Sequence, residues 1–342
     1  MQSKITLHIG LYKTATTFLQ CRILNAIGVN HIMPHSDEMH QLYDVFENVR
    51  YRRLTLLQGR ECVKTVLNPV LDSSLVVSNE HLFGHDKNLF SDVEWRFQIL
   101  EELFDKPNYI ITIRRQDAIC VSSWYQGVKQ KNLTLTFDQF ANTYRLNNEK
   151  NLMNSDQNFL FETDFRCYNY LKLLAPYLEH TERVTILPIE MLDSEPKEFF
   201  RNLLYDFSVG ESQINQFIQL SRKEKLNQSN SDHTALFLLN YISAKVFRYP
   251  FNAAILRRLH NGYLALNNDD TKKHSWQSPF VVTYLKTIGQ LVFRISCIFA
   301  PKMMVRVLPS RETKHLILKY HSQSNMKLSE TIGIDLGQYE YH

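Results

Sequence analysis

The chain has no run long and apolar enough to cross a membrane. Its longest stretch without Asp, Glu, Lys or Arg is 14 residues, Ile23–Ser36, followed by 12 at His233–Ala244, and a spanning helix needs about 18 or more apolar residues in a row. It also has no CxxC pair, and its cysteines are odd in number: five, at positions 21, 62, 120, 167 and 297. That spacing argues against a structural zinc site and a disulfide framework, and for free thiols in a reducing compartment. Glycine and proline are scarce, 10 of each, so long flexible linkers are not expected. The opening MQSKITLHIG has no basic stretch followed by an apolar one, so the sequence predicts no secretory signal and a cytoplasmic protein.

What is present suits an ordinary globular protein. Of 342 residues, 44% are hydrophobic and 22% charged, which excludes a disordered or fibrous chain. That length predicts one large domain or two modest ones. The net charge of +4 is unevenly spread. Residues 1–239 hold 25 basic and 29 acidic side chains, a balance of −4, whereas residues 240–310 hold 10 and 2, a balance of +8. A segment of that kind can face a polysaccharide, a membrane surface or a nucleic acid, or be a solvated helical face. It carries no recognisable nucleic-acid module, so no nucleic-acid partner is expected.

The pattern opens as strand, loop, helix: KITLHI alternates at Ile5, Leu7 and Ile9, Gly10 ends it, and Thr16 to Ala26 is compatible with a helix. Ser73–Ser78, Tyr109–Ile113 and Arg183–Pro188 read as further strands. Asp92–Phe104, Asp117–Lys131, Thr163–Leu178 and Pro196–Phe207 read as helices between or after them. Alternation of this kind predicts an α/β fold with a mainly parallel sheet. From residue 231 onward the pattern is helical: His233–Phe247, Ala253–Leu266, Pro279–Phe299 and Glu312–Tyr320. The expected organisation is an α/β core over 1–231, with residues 232–342 as a helical C-terminal third that completes the same domain and shapes an acceptor site.

Gly10-Leu11-Tyr12-Lys13-Thr14-Ala15-Thr16-Thr17 joins the first strand to the first helix. Ligands of α/β sheets bind at such strand ends. Backbone N–H groups, the Lys13 charge and the hydroxyls of Thr14, Thr16 and Thr17 are the parts of a phosphate cradle. It is not a Walker A loop, which requires G-x-x-x-x-G-K-[ST]. The third strand ends at Arg114, and Ser122 follows eight residues on, in the next helix. The Arg114 guanidinium can grip a phosphate with two donors and Ser122 can add a hydroxyl. Arg115 and Ser123 share the same spacing, so the register stays open. Anion sites at two strand ends imply a nucleotide with phosphates at both ends.

With these motifs the chain resembles the sulfotransferases that use 3′-phosphoadenosine 5′-phosphosulfate (PAPS), in particular bacterial glycan-type members. LHIGLYKTATTFLQ is similar to their 5′-phosphosulfate loop and YIITIRRQDAICVSSWYQGVK to their 3′-phosphate segment. LVVSNEHLFG stands where such members carry an acidic residue after a short strand, and LNQSNS and YHSQSNMKLSE resemble later segments. The resemblance implies a P-loop-like three-layer fold and sulfuryl transfer from PAPS, with 3′,5′-ADP as product and no metal. It implies binding of the donor by Tyr12, Lys13, Thr14, Ala15, Thr16, Thr17, Arg114 and Ser122. Lys13 is then expected to stabilise the leaving phosphate and Glu80 to act as base, with His81 the second candidate. The implied acceptor is a carbohydrate, anionic or lipid-linked, reached through the basic C-terminal third. Arg257, Arg258, Lys272, Lys273 and Arg294 are candidate contacts, Pro279–Arg306 is a candidate peripheral membrane segment, and Asn227 and Ser229 are candidates to close over the nucleotide. The sequence departs from the family where Ala15 and Tyr12 replace the usual Gly and Pro. Ala15 fits only at negative φ and is strained otherwise. The alternative readings are a P-loop nucleotide kinase and a non-catalytic glycan- or anion-binding protein on the same fold.

Overall fold

The computed structural model describes residues 5–68, 74–84, 90–131, 136–146, 165–207, 209–225 and 309–342. A five-stranded sheet is built from β1 (Ile5–His8), β2 (Asn30–Ile32), β3 (Leu75–Ser78), β4 (Asn108–Ile113) and β5 (Val184–Pro188). The order is β2-β3-β1-β4-β5, and every pairing is parallel. β3 is buried throughout, and β1 and β4 everywhere beyond their first residue. This explains why they read as near-continuous apolar runs, the habit of strands inside a parallel sheet. Helices flank the sheet, so the fold is the α/β class the alternation predicts.

The helices that frame the site are α1 (Thr16–Phe18), α2 (Asp37–Arg50), α3 (Leu56–Leu67), α4 (Val93–Leu103) and α5 (Gln116–Lys131). Two of the first three lie where no helix was expected from the sequence, and β2 was not expected either. β2 has three residues, of which only Ile32 is buried. The stretch Thr163–Leu178, read as one helix, is a 3₁₀ turn at Phe165–Tyr168 followed by two single turns, Tyr170–Leu173 and Ala175–Leu178. Asn169 caps the second piece through the Lys172 N–H at 3.2 Å, and Pro176 begins the third, a position where its missing N–H costs nothing. The last helix, Arg311–Ile332, runs 22 residues rather than the nine of Glu312–Tyr320.

The chain divides into two compact units: Met1–Ile119 with Ser155–Leu226 and His315–His342, and Cys120–Asn154 with Asn227–Lys314. The first holds the sheet and most of the last helix, from His315 on. The boundaries include one within α5 and one after Leu226, close to the expected position 231. Within the second unit, Trp124 is buried and packs edge-on against Phe137, with ring centroids 6.0 Å apart. The helices expected over residues 233–299, the basic candidates from Arg257 to Arg294, Asn227, Ser229 and Cys297 all lie outside the described residues. Cys21 and Cys62 are free thiols. Among the described residues no helix is long and apolar enough to cross a membrane.

The strand order has a direct consequence for ligand binding. The chain leaves β1 toward β2, beyond β3, and leaves β4 toward β5 on the other side. Neighbouring strands whose exits diverge leave a crevice at their carboxyl ends. Here it lies between Gly10–Thr17 and the residues after Ile113.

Beneath this crevice sits His8, 1% exposed. Its Nδ1 is 2.7 Å from the Ser78 hydroxyl on the neighbouring strand, and its Nε2 has no hydrogen-bond partner among the described residues. Burial, and then the nearby His31, lower its pKa to about 4 from 6.5. The unfolded chain takes up this proton near pH 6.5 and the folded chain only near pH 4. Stability from this group is therefore complete above pH 6.5 and falls as the pH drops toward 4, by about 3 kcal/mol at pH 4. Urea unfolding between pH 7.5 and 4.5 should show that fall, and His8→Asn should flatten it. An equally steep fall in the variant would assign it to other groups.

Candidate functional site

The loop after β1 stays bonded to β4 beyond the strand's end. The Ile9 N–H donates to the Ile110 carbonyl at 3.0 Å, and the Leu11 N–H to the Thr112 carbonyl at 3.1 Å. This seam explains Gly10: a Cβ there would lie 2.0 Å from Thr112 Oγ1 and 3.2 Å from Thr14 Oγ1. The Thr14 side chain closes the turn from inside, its hydroxyl 2.5 Å from the Leu11 carbonyl and 2.7 Å from Thr112 Oγ1. The Thr14 hydroxyl, expected to face a ligand, is fully buried and engaged in this way. Only its backbone remains for that purpose.

Lys13 and Ala15 both have left-handed backbones, at φ 67° and 58°. Ala15 is therefore in the strained case that its replacement of Gly made possible. Its αL conformation precedes the first turn of α1, and a left-handed residue followed by a helical one turns successive N–H groups toward a common point, an anion-binding concavity. No side chain caps that turn. Thr16 is buried and Thr17 exposed, so of the two hydroxyls only that of Thr17 is open to solvent.

The two arginines left open in the sequence have different partners. Arg114 Nη1 donates to the Lys13 carbonyl at 2.9 Å, so the guanidinium lies against the loop. Arg115 turns elsewhere: its Nε donates to Asp117 at 2.7 Å and its Nη1 to Glu340. Ser122 is the seventh residue of α5 and belongs to the second unit. Like Ser123 it is half-buried.

The end of β3 supplies the third wall. Asn79 follows the strand, its N–H bonded to the His8 carbonyl at 3.0 Å and its side chain accepting from the His81 N–H at 2.9 Å. These bonds start the short turn that holds Glu80 and His81. Gln20, buried on the helical run after the loop, donates to Glu80 Oε2 at 3.3 Å. The Tyr12 hydroxyl meets His81 Nδ1, with the two rings edge-on at 5.3 Å. Burial lowers the His81 pKa; Glu80 opposes the shift, and Arg96 and His35 reinforce it. The imidazole is therefore neutral at pH 7. Arg96, 1% exposed, fixes the turn from below, donating to the His81 carbonyl at 3.0 Å and to Asp92 at 2.9 Å.

Adjacent ends of β3, β1 and β4 thus carry a carboxylate, a cationic loop and an arginine, all in the sheet unit. Sequence reading missed Gln20 and Arg96. Gln20 stands four residues after Thr16, one helical turn on, and that spacing could have found it. Of the Arg96 partners, Asp92 stands one helical turn back, a spacing visible in the sequence, whereas the His81 carbonyl is 15 residues away and leaves no mark there. Among the described residues no group of three or more His, Cys, Asp and Glu side chains is placed to hold a metal ion.

No family model matches the chain, and neither does any curated protein. Among solved structures, a sulfotransferase from Alicyclobacillus acidocaldarius is similar at 14% identity and a TM-score of 0.41, over 68% of this chain and 99% of that one.

The strain at Ala15 has a measurable consequence. A non-glycine residue in the left-handed region costs roughly 1–2 kcal/mol, part of which glycine's greater unfolded-state freedom offsets. Ala15→Gly should therefore raise the unfolding free energy by about 1 kcal/mol. A fall of that size in urea titrations would contradict the strained loop.

Proposed function

We propose that this chain is a sulfotransferase that moves the sulfuryl group of PAPS to a hydroxyl of a carbohydrate acceptor. The observation that carries the reading is the Arg114 guanidinium lying against the Lys13 carbonyl, which joins two anion-binding elements across the crevice between β1 and β4. A nucleotide with charge at both its 3′ and 5′ positions matches that pair. The loop takes the 5′-phosphosulfate through the N–H groups of Thr14, Ala15, Thr16 and Thr17, the Thr17 hydroxyl and the Lys13 ammonium. Arg114 takes the 3′-phosphate. A triphosphate kinase matches less well, because Tyr12 rather than a glycine directly precedes Lys13.

In the reaction the acceptor oxygen attacks sulfur as the bond from sulfur to the bridging phosphate oxygen breaks. The leaving group is 3′,5′-ADP, and Lys13 neutralises the charge growing on its 5′-phosphate. Positioning and charge stabilisation dominate, by analogy with phosphoryl transfer. The acceptor proton passes to Glu80, which Gln20 orients. His81 suits a different role. When the Tyr12 hydroxyl donates to Nδ1, the ring proton sits on Nε2, so that nitrogen donates rather than accepts. Tyr12 and His81 then form an aromatic wall beside the carboxylate.

PAPS turnover, read as 3′,5′-ADP release with a panel of polysaccharides, tests the assignment. Glu80→Gln should lower kcat by about 10²–10⁴-fold with little change in 3′,5′-ADP affinity. His81→Gln should cost far less. Turnover that survives Glu80→Gln but not His81→Gln would reverse the two roles. Absence of PAPS turnover with every acceptor, together with Mg²⁺-dependent ATP turnover, would replace the proposal with a kinase.

A further inference from the structure

Arg114 can discriminate a nucleotide only if its backbone is held at a fixed angle, and the structure holds it from an unexpected place. The peptide group between Arg114 and Arg115 is bonded at both polar ends by side chains. The Tyr170 hydroxyl donates to the Arg114 carbonyl, and the Arg115 N–H donates to Glu190 Oε1 at 2.9 Å. Glu190 in turn accepts from the Tyr341 hydroxyl at 2.8 Å through its other oxygen. The Tyr341 carbonyl accepts from Asn325 Nδ2 at 2.6 Å, and the Asn325 amide pairs with the Gln116 amide at 2.8 and 3.1 Å. Gln116 follows Arg115, so the bonds close a ring: Arg115, Glu190, Tyr341, Asn325, Gln116.

Gln116, Asn325 and Tyr341 are each 0% exposed. A buried polar network of this kind is costly if any member loses its partner, which makes it stiff. Burial, with the Glu190 carboxylate beside it, holds the Tyr341 phenol in its neutral, donating form. Outside the ring, Arg115 bonds Glu340 and Asp117, which ties the same turn to the chain's end a second time. Asn325 lies in YHSQSNMKLSE, a segment to which the proposed chemistry gives no task.

We infer that the C-terminal segment is a latch that sets the aim of Arg114, with Tyr341 and Asn325 as positioning residues for recognition of a 3′-phosphate. The inference rests on the sulfotransferase reading. Neither residue touches the ligand; both act through the peptide group after Arg114. A latch of this kind predicts selective damage: the 3′-phosphate contact weakens while the 5′ loop, held by its own seam to β4, keeps its affinity.

Calorimetric titration of the full chain with 3′,5′-ADP and with 5′-AMP tests this. The wild type should bind 3′,5′-ADP the more tightly. Tyr341→Phe and Asn325→Ala should each lose about tenfold in 3′,5′-ADP affinity, the worth of roughly one hydrogen bond, with 5′-AMP affinity unchanged. The 5′-AMP arm reports whether each variant is folded. Equal loss for both ligands would make the ring merely structural and overturn the latch. So would full retention of the 3′,5′-ADP preference. A wild type that does not distinguish the two ligands would overturn the sulfotransferase reading itself, and the latch with it.

Discussion

The site hangs on a backbone seam. Parallel pairing of β1 with β4 does not stop at His8; it continues through the Ile9 and Leu11 N–H groups into the loop. The loop is therefore an extension of the sheet rather than a free connection, and its position is set by core strands. Gly10 permits the close approach, and Thr14 and Thr112 seal it with their hydroxyls. Every group assigned to the ligand takes its place from this seam or from the strand ends beside it.

The seam also explains how strain persists there. Lys13 and Ala15 are held in left-handed conformations that only surrounding structure can enforce. The Ile9 and Leu11 N–H groups bonded to β4 and the Leu11 carbonyl captured by Thr14 supply that enforcement. Arg114 adds a bond to the Lys13 carbonyl, which sets the guanidinium against a loop already fixed by its seam.

How much of this was legible in the sequence follows from how local each cause is. β1, β3, β4 and β5 announce themselves because buried parallel strands are apolar on both faces. β2 does not, because Asn30 and His31 are polar and three residues carry little pattern. The Thr163–Leu178 stretch has helical spacing, yet Asn169 and Pro176 restart the chain twice. At the site, loop chemistry and strand ends single out Lys13, Glu80 and Arg114 as candidates, and the strand order brings the three segments that carry them side by side. Arg114 could not be separated from Arg115, since the distinction rests on Lys13, Asp117 and Glu340, the last 225 residues away. The inward turn of the Thr14 hydroxyl and the link from Tyr341 to the end of β4 are likewise products of packing. Charge and periodicity do not encode them.

The central claim is that the crevice between β1 and β4 takes a nucleotide charged at both its 3′ and 5′ positions. The most direct measurement is a calorimetric titration of the wild-type chain with 3′,5′-ADP and, separately, with ATP and Mg²⁺. Saturable binding of 3′,5′-ADP in clear preference to ATP is the predicted result. Preference for ATP with Mg²⁺, or no binding of either nucleotide, would contradict the account and leave the loop as a structural turn.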